Sequence, residues 1–203
     1  MIKDRIALGA HPGRGFAANR LKCRLVLEGA REARIQNIKV SDDRATGRFD
    51  LSFDFNSAWY GRSLGGAVLM FKPVMVSRRS ALAFEEEERI QPVKIHGTSF
   101  NERSVIELPE GFLPSEPPRD TAIKSAFGCY SLRFSLNEGS LEYTRALALR
   151  PAILPAAEYA KVREFFSAIA TAEQQAVVYE RAAPPAAEIP ALPGRATGKT
   201  EKL

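Results

Sequence analysis

Hydrophobic and polar positions alternate along much of this chain, and the alternation predicts strands. From 20 to 28, Leu21, Cys23, Leu25 and Leu27 share one side, while Lys22, Arg24 and Glu28 fall mostly on the other. Asp42, Asp43 and Gly47 mark a turn. Phe49, Leu51, Phe53 and Phe55 then alternate with Arg48, Asp50, Ser52 and Asp54, the strongest strand pattern in the chain. Glycines 61, 65 and 66 break the next stretch into a loop, Ser57–Gly66. An apolar run follows over Ala67–Phe71 and Val74–Val76, and Pro73 within it points to an edge strand or a bulge. Glu85–Glu88 reads as a solvated loop or short helix. Pro92–His96 and Arg103–Leu108 read as two more strands.

Downstream, Pro109, Gly111, Pro114, Pro117 and Pro118 punctuate the chain. A hairpin comes next. Tyr130, Leu132, Phe134 and Leu136 alternate with polar residues, Asn137–Ser140 turns, and Leu141, Tyr143, Leu147 and Leu149 continue the apolar face. Arg145 lies on that face and is expected to be paired or snorkelling rather than catalytic. After Pro155 the period changes from two to 3–4. Tyr159, Val162, Phe165, Phe166 and Ile169 form one stripe, which predicts an amphipathic helix over 155–173 that lids the sheet. Gln175–Arg181 is either a last strand or an extension of that helix.

This order of strands, one helix and a tail predicts a mainly β fold. The expected architecture is an antiparallel, sandwich-like module over 20–181 with the C-terminal helix packed on it. Residues 1–19 show no period and read as a poorly ordered basic N-terminus. Residues 182–203, rich in Pro, Ala and Gly, read as a disordered tail.

Composition narrows the possible chemistry. Two Cys and two His are too few for a Cys-rich zinc site, a disulfide framework or the common His-based metal centres, so neither a metal nor a cofactor is expected. Residues 1–48 carry 11 basic and 5 acidic side chains, and the rest carry 18 and 19, so the net +5 belongs to the N-terminal segment. A basic segment can meet an anionic partner. No aromatic interleaving supports nucleic acid, which is not expected as a partner. No apolar run approaches the ~18 residues of a membrane span, and Ile6–Leu8 is too short for a signal-peptide core.

Several constellations invite a catalytic reading. Gly194–Thr200 imitates a phosphate-binding loop, but three residues rather than four separate its glycines, and it lacks room for the following helix. Cys23, His96 and Asp120 imitate a thiol triad, yet Cys23 is in phase with core leucines. Cys129, opposite in phase to Tyr130 and Leu132, is the thiol expected at the surface. His96 reads as a partly exposed residue at a strand end. Trp59, Tyr60 and Arg62 either present an aromatic ligand surface or close one end of the sandwich.

A longer pattern is more specific. In order, it comprises Arg89-Ile90-Gln91-Pro92-Val93, Glu107-Leu108-Pro109-Glu110-Gly111-Phe112, Phe127-Gly128-Cys129-Tyr130, Leu141-Glu142-Tyr143-Thr144-Arg145 and Pro155-Ala156-Ala157-Glu158-Tyr159. From Phe84 to Arg181 this order resembles the C-terminal domain of bacterial transglutaminase-like proteins. Those proteins begin with a β-rich domain of unknown function and carry a papain-like core in the middle. The resemblance implies a non-catalytic accessory β module, used for domain packing or substrate positioning. Its expected partner is a papain-like catalytic domain, in cis or encoded nearby. It also implies a periplasmic or extracellular setting, and a truncated, fragmentary or split arrangement, because the Cys-His-Asp machinery would lie upstream. No catalytic residue carries over. The competing expectation is a module binding cell-wall peptide or glycan through the Trp59/Tyr60 loop.

Overall fold

A computed structural model describes residues 34–57, 60–75, 84, 86–137 and 139–182, together with the backbone of 2–12. The fold is mainly β and antiparallel, with one C-terminal α-helix. Its strands are β1 (Ile2–Pro12), β2 (Arg34–Asp43), β3 (Arg48–Ser57), β4 (Arg62–Leu64), β5 (Val68–Phe71), β6 (Val93–Ile95) and β7 (Thr98–Glu107). They continue with β8 (Phe112–Glu116), β9 (Thr121–Ser125), β10 (Gly128–Asn137), β11 (Ser140–Leu149), β12 (Ala152–Leu154) and, after the helix, β13 (Val177–Arg181). The helix α1 (Tyr159–Glu173) is entered through a 3-10 turn at Ala156–Glu158.

The largest sheet has seven strands in the order β2-β3-β1-β7-β11-β10-β9. A second has the order β4-β5-β13-β8, and β12 pairs with β6 in a third. Alternation decides which side of each strand is buried. Phe53 and Phe55 of β3, Ile106 of β7, Tyr130 and Leu132 of β10, and Leu141, Tyr143 and Leu147 of β11 all face inward. They form one core cluster with Leu69 and Phe71 of β5, Val177 and Tyr179 of β13, and the stripe Tyr159, Val162, Phe165, Phe166 and Ile169 of α1. The helix stripe is therefore core, as its spacing predicted. Aromatic edges knit it in: Phe165 meets Phe127 at 5.1 Å, and Phe84 meets Phe166 at 5.2 Å.

The β10–β11 hairpin follows from its turn. Asn137 and Ser140 are register partners across the turn, and Gly139 between them takes φ +71°. A side chain at that angle is strained, which is why such turns favour glycine. Gly128 serves a different purpose. A Cβ there would stand 2.8 Å from the Ala148 carbonyl oxygen and 2.6 Å from Leu149 Cδ2. Gly128→Ala is expected to cost about 1–3 kcal/mol through this overpacking. Urea unfolding would read the loss, and an unchanged midpoint would show that β11 yields.

One expectation is corrected, and two stretches for which no element was predicted hold strands. Ile2–Pro12, expected to be poorly ordered, forms β1 and pairs with both β3 and β7. Arg34–Asp43, with no period-two pattern, is also a strand, so the basic segment is not simply a detached arm. The Pro-rich stretch after 109 contains two strands, β8 and β9. Pro114 is accommodated because β8 is an edge strand. The expected strand at 20–28 and the tail at 183–203 lie outside the described residues. No helix among the described residues is long and apolar enough to cross a membrane.

Candidate functional site

The outer face of the seven-stranded sheet carries a cleft of about 660 Å³. Register builds it. One row of Cα partners runs Lys39, Ser52, Ala7, Arg103, Thr144 and Arg133, across β2, β3, β1, β7, β11 and β10. The next row runs Ser41, Asp50, Gly9, Asn101, Ala146 and Ser131. Register partners share a face, so both rows lie on the side opposite the core. The cleft is lined by Lys39, Arg48, Asp50, Asn101, Arg103 and Thr144, among others.

Ion pairs order part of this surface. Arg48 Nε lies 2.8 Å from Asp50 Oδ2. Arg103 grips Glu142 with two parallel bonds, Nε to Oε1 at 2.7 Å and NH2 to Oε2 at 2.8 Å. The Arg103 hydrogen bond holds the Glu142 carboxyl below its ordinary range. At the β2 end, Asn37 Nδ2 donates to Asp54 Oδ2 at 2.6 Å.

Glu102 and Arg145, which also line the cleft, belong to a buried ionic cluster. Glu102 follows Asn101 and Arg145 follows Thr144, so their side chains point inward. Arg145 is 3% exposed, Glu102 2% and Glu173 1%. Arg145 donates through Nε to Glu102 Oε2 at 2.7 Å and through NH1 to Glu173 Oε1 at 2.8 Å. The Tyr143 hydroxyl donates to Glu102 Oε1 at 2.5 Å, and the guanidinium lies over the Phe100 ring at 4.8 Å. Burial raises the pKa of Glu102 against the opposing pull of Arg145. Burial by itself would lower the pKa of Arg145, but the charges of Glu102 and Glu173 outweigh it and raise it. Burial, followed by the Glu173 charge, holds the Tyr130 phenol protonated. The cluster ties β7, β11 and the last residue of α1 together. Sequence reasoning placed Arg145 as a paired residue but named neither carboxylate.

The other sequence candidates are dispersed. Tyr60 is 6% exposed, its hydroxyl donates to the Lys72 carbonyl, and its ring packs 5.7 Å from Phe71. It belongs to the core cluster, beside Phe71 of β5. Trp59 lies outside the described residues. Arg62 is exposed on the three-residue edge strand β4. Cys129 is exposed, as its phase predicted. His96 is exposed just beyond the end of β6. Asp120 accepts a hydrogen bond from the Phe134 backbone N–H at 2.9 Å, covering β10 where β9 stops short. Cys23 is outside the described residues, so the thiol triad has no described geometry. Among the described residues no group of three or more His, Cys, Asp or Glu could hold a metal ion.

A family model matches residues 67–179, a domain of unknown function with a solved structure (DUF3858). The match takes in more than half of the chain, including Glu102, Arg145 and Glu173. No curated protein and no solved structure matches the chain.

Proposed function

The chain belongs to the DUF3858 family, and on that premise we propose that it is a non-catalytic accessory module of a transglutaminase- or protease-like protein. It packs against a papain-like catalytic domain, carried in cis or encoded nearby. The order of motifs from Arg89 to Tyr159 supports that partner. Those motifs lead into β6, join β7 to β8, open β10, begin β11 and open α1.

The observation that carries the packing reading is the overhang of the large sheet. All ten residues of β2 are exposed, although Ile35 pairs with Phe55 and Val40 with Leu51, on the core side. Ile35 is 38% exposed, Ile38 61% and Val40 51%. An apolar strip continuous with the core but uncovered fits a domain interface better than free solvent.

The test is binding of the full chain to the neighbouring papain-like domain, made as a separate protein. The wild type is expected to form a one-to-one complex. The double variant Ile38→Asp/Val40→Asp is expected to weaken it about 100-fold, two apolar contacts at about tenfold each. Both positions are exposed, so folding should persist, as circular dichroism would report. A wild type that does not bind, or a variant that binds equally, overturns the reading. The alternative ligand site at the Trp59/Tyr60 loop is weakened because the Tyr60 ring is buried.

A further inference from the structure

We infer that the outer face of the four-stranded sheet is where two copies of this chain meet, packed face to face about a two-fold axis. This goes beyond accessory packing, which uses β2 at the edge of the other sheet.

The residues of the strands come first. An antiparallel sheet with one solvated face alternates apolar and polar positions. Strands β3 and β10 of the seven-stranded sheet do so. Strand β5 does not: Val68-Leu69-Met70-Phe71 has no polar position, and β13 opens with Val177-Val178-Tyr179. Unbroken apolar runs of this kind suit strands covered on both sides. The core covers one side, where Leu69, Phe71, Val177 and Tyr179 are buried. On the other side Val68, Met70 and Val178 remain only half-buried.

Register assembles that second side into a face. Leu64, Val68, Glu180 and Leu113 are Cα partners across β4, β5, β13 and β8, and so are Arg62, Met70, Val178 and Glu116. Register partners share a face, so both rows lie away from the core. Leu64 is 60% exposed and Leu113 61%. Five apolar side chains therefore form one patch, the mark of an interaction surface. Glu180 interrupts it, and the Ser115 hydroxyl donates to its Oε1 at 3.0 Å.

Charge selects the occupant. Arg62 and Glu116 end the same row on opposite edges of the sheet, both are exposed, and neither makes an ion pair among the described residues. A two-fold axis along the strands, between β5 and β13, lays β4 of one copy over β8 of the other. It sets Arg62 against Glu116 of the partner subunit, twice over. It also sets Met70 against Val178 of the partner subunit, Leu64 against Leu113 of the partner subunit, and Val68 against Glu180 of the partner subunit. An isologous interface requires a patch that complements itself in this way. An unrelated partner would place no such demand on the two rims. The patch is small: four strands at ~4.8 Å and two repeats of ~7 Å give about 300 Å². A standard interface buries about 800 Å² per partner, so the dimer is expected to be weak and to depend on its charged rims.

The experiment is sedimentation equilibrium of the full chain from about 1 to 500 μM, with circular dichroism to confirm folding. The wild type is expected to dimerise with a Kd of about 10–100 μM. Arg62→Glu and Glu116→Arg are each expected to weaken the dimer about tenfold or more, because the symmetry places each like-charge contact twice. Combined in one chain, the two reversals restore complementarity and should return the Kd to within about threefold of wild type. Leu64→Asp/Leu113→Asp should leave a folded monomer. Ile38→Asp/Val40→Asp on β2 should leave the dimer intact, which keeps this test apart from that of accessory packing. A wild type that is monomeric throughout, single reversals without effect, a combined variant that is not rescued, or a dimer lost through the β2 variant overturns the inference.

Discussion

Arg145→Ala is expected to lower the unfolding free energy by about 3–5 kcal/mol. The guanidinium is enclosed and is shared between two carboxylates that are 2% and 1% exposed. Removing it leaves both acids buried without their counter-charge. Glu173 suffers most, because it ends α1, where the helix dipole already disfavours negative charge. Replacing the whole cluster should be far milder. A triple variant, Glu102→Gln/Arg145→Met/Glu173→Gln, is expected to retain most of the stability, since a buried ion pair roughly balances its own desolvation. Urea unfolding of both proteins checks this. A single variant within about 1 kcal/mol of wild type would mean that water reaches the site. The cluster also sets a pH dependence. Glu102 binds its proton more tightly when folded, because burial raises its pKa above 4.5. Its contribution is therefore fully present below that ordinary value and is lost as pH rises through the raised one. The wild type should gain stability as pH falls through the raised value towards 4.5, and Glu102→Gln should flatten that gain.

What could be read in the sequence depended on whether burial followed a simple period. The β10–β11 hairpin and α1 did, because one side of each faces the core throughout. Strand β2 did not. Its register slips between Gln36 and Lys39, and Asn37 takes φ +52°. Ile35, Ile38 and Val40 are consequently spaced three and then two apart, which no strand template matches. Strand β1 carries a short alternation, Ile2, Ile6 and Leu8 against Lys3, Arg5 and Ala7, which Asp4 interrupts, and its place between β3 and β7 comes from long-range pairing. The ionic cluster was half legible. Glu173 is four residues after Ile169 and so falls in phase with the apolar stripe. Glu102 is in phase with Ser104 and Ile106 but preceded the strand assigned over 103–108. A buried arginine requires a counter-charge, and phase alone would have nominated both. The cleft was not legible, because its lining residues come from five strands and meet only through register.

Phe165→Asp is expected to unfold the domain. Phe165 is 4% exposed, edge-on to Phe127 at 5.1 Å and to Phe166 at 5.3 Å, and Phe166 continues the contact to Phe84. Truncating such a ring costs about 3–5 kcal/mol. An unpaired carboxylate in its place adds a desolvation penalty of several kcal/mol, or forces the group to take up a proton. The sum is comparable to the whole stability of a typical domain, about 5–15 kcal/mol. Position 164 supplies the internal control. Glu164 is exposed on the other side of the same turn, so Glu164→Ala should change stability by no more than about 0.5 kcal/mol. Far-ultraviolet circular dichroism and urea titration would read both variants. If Phe165→Asp keeps a cooperative transition at the wild-type midpoint, α1 is an appendage that can leave the sheets intact. If it loses the transition while Glu164→Ala keeps it, the helix is core. The ionic cluster at the cleft then depends on α1, because Glu173 at its end is one of the two acids that hold Arg145.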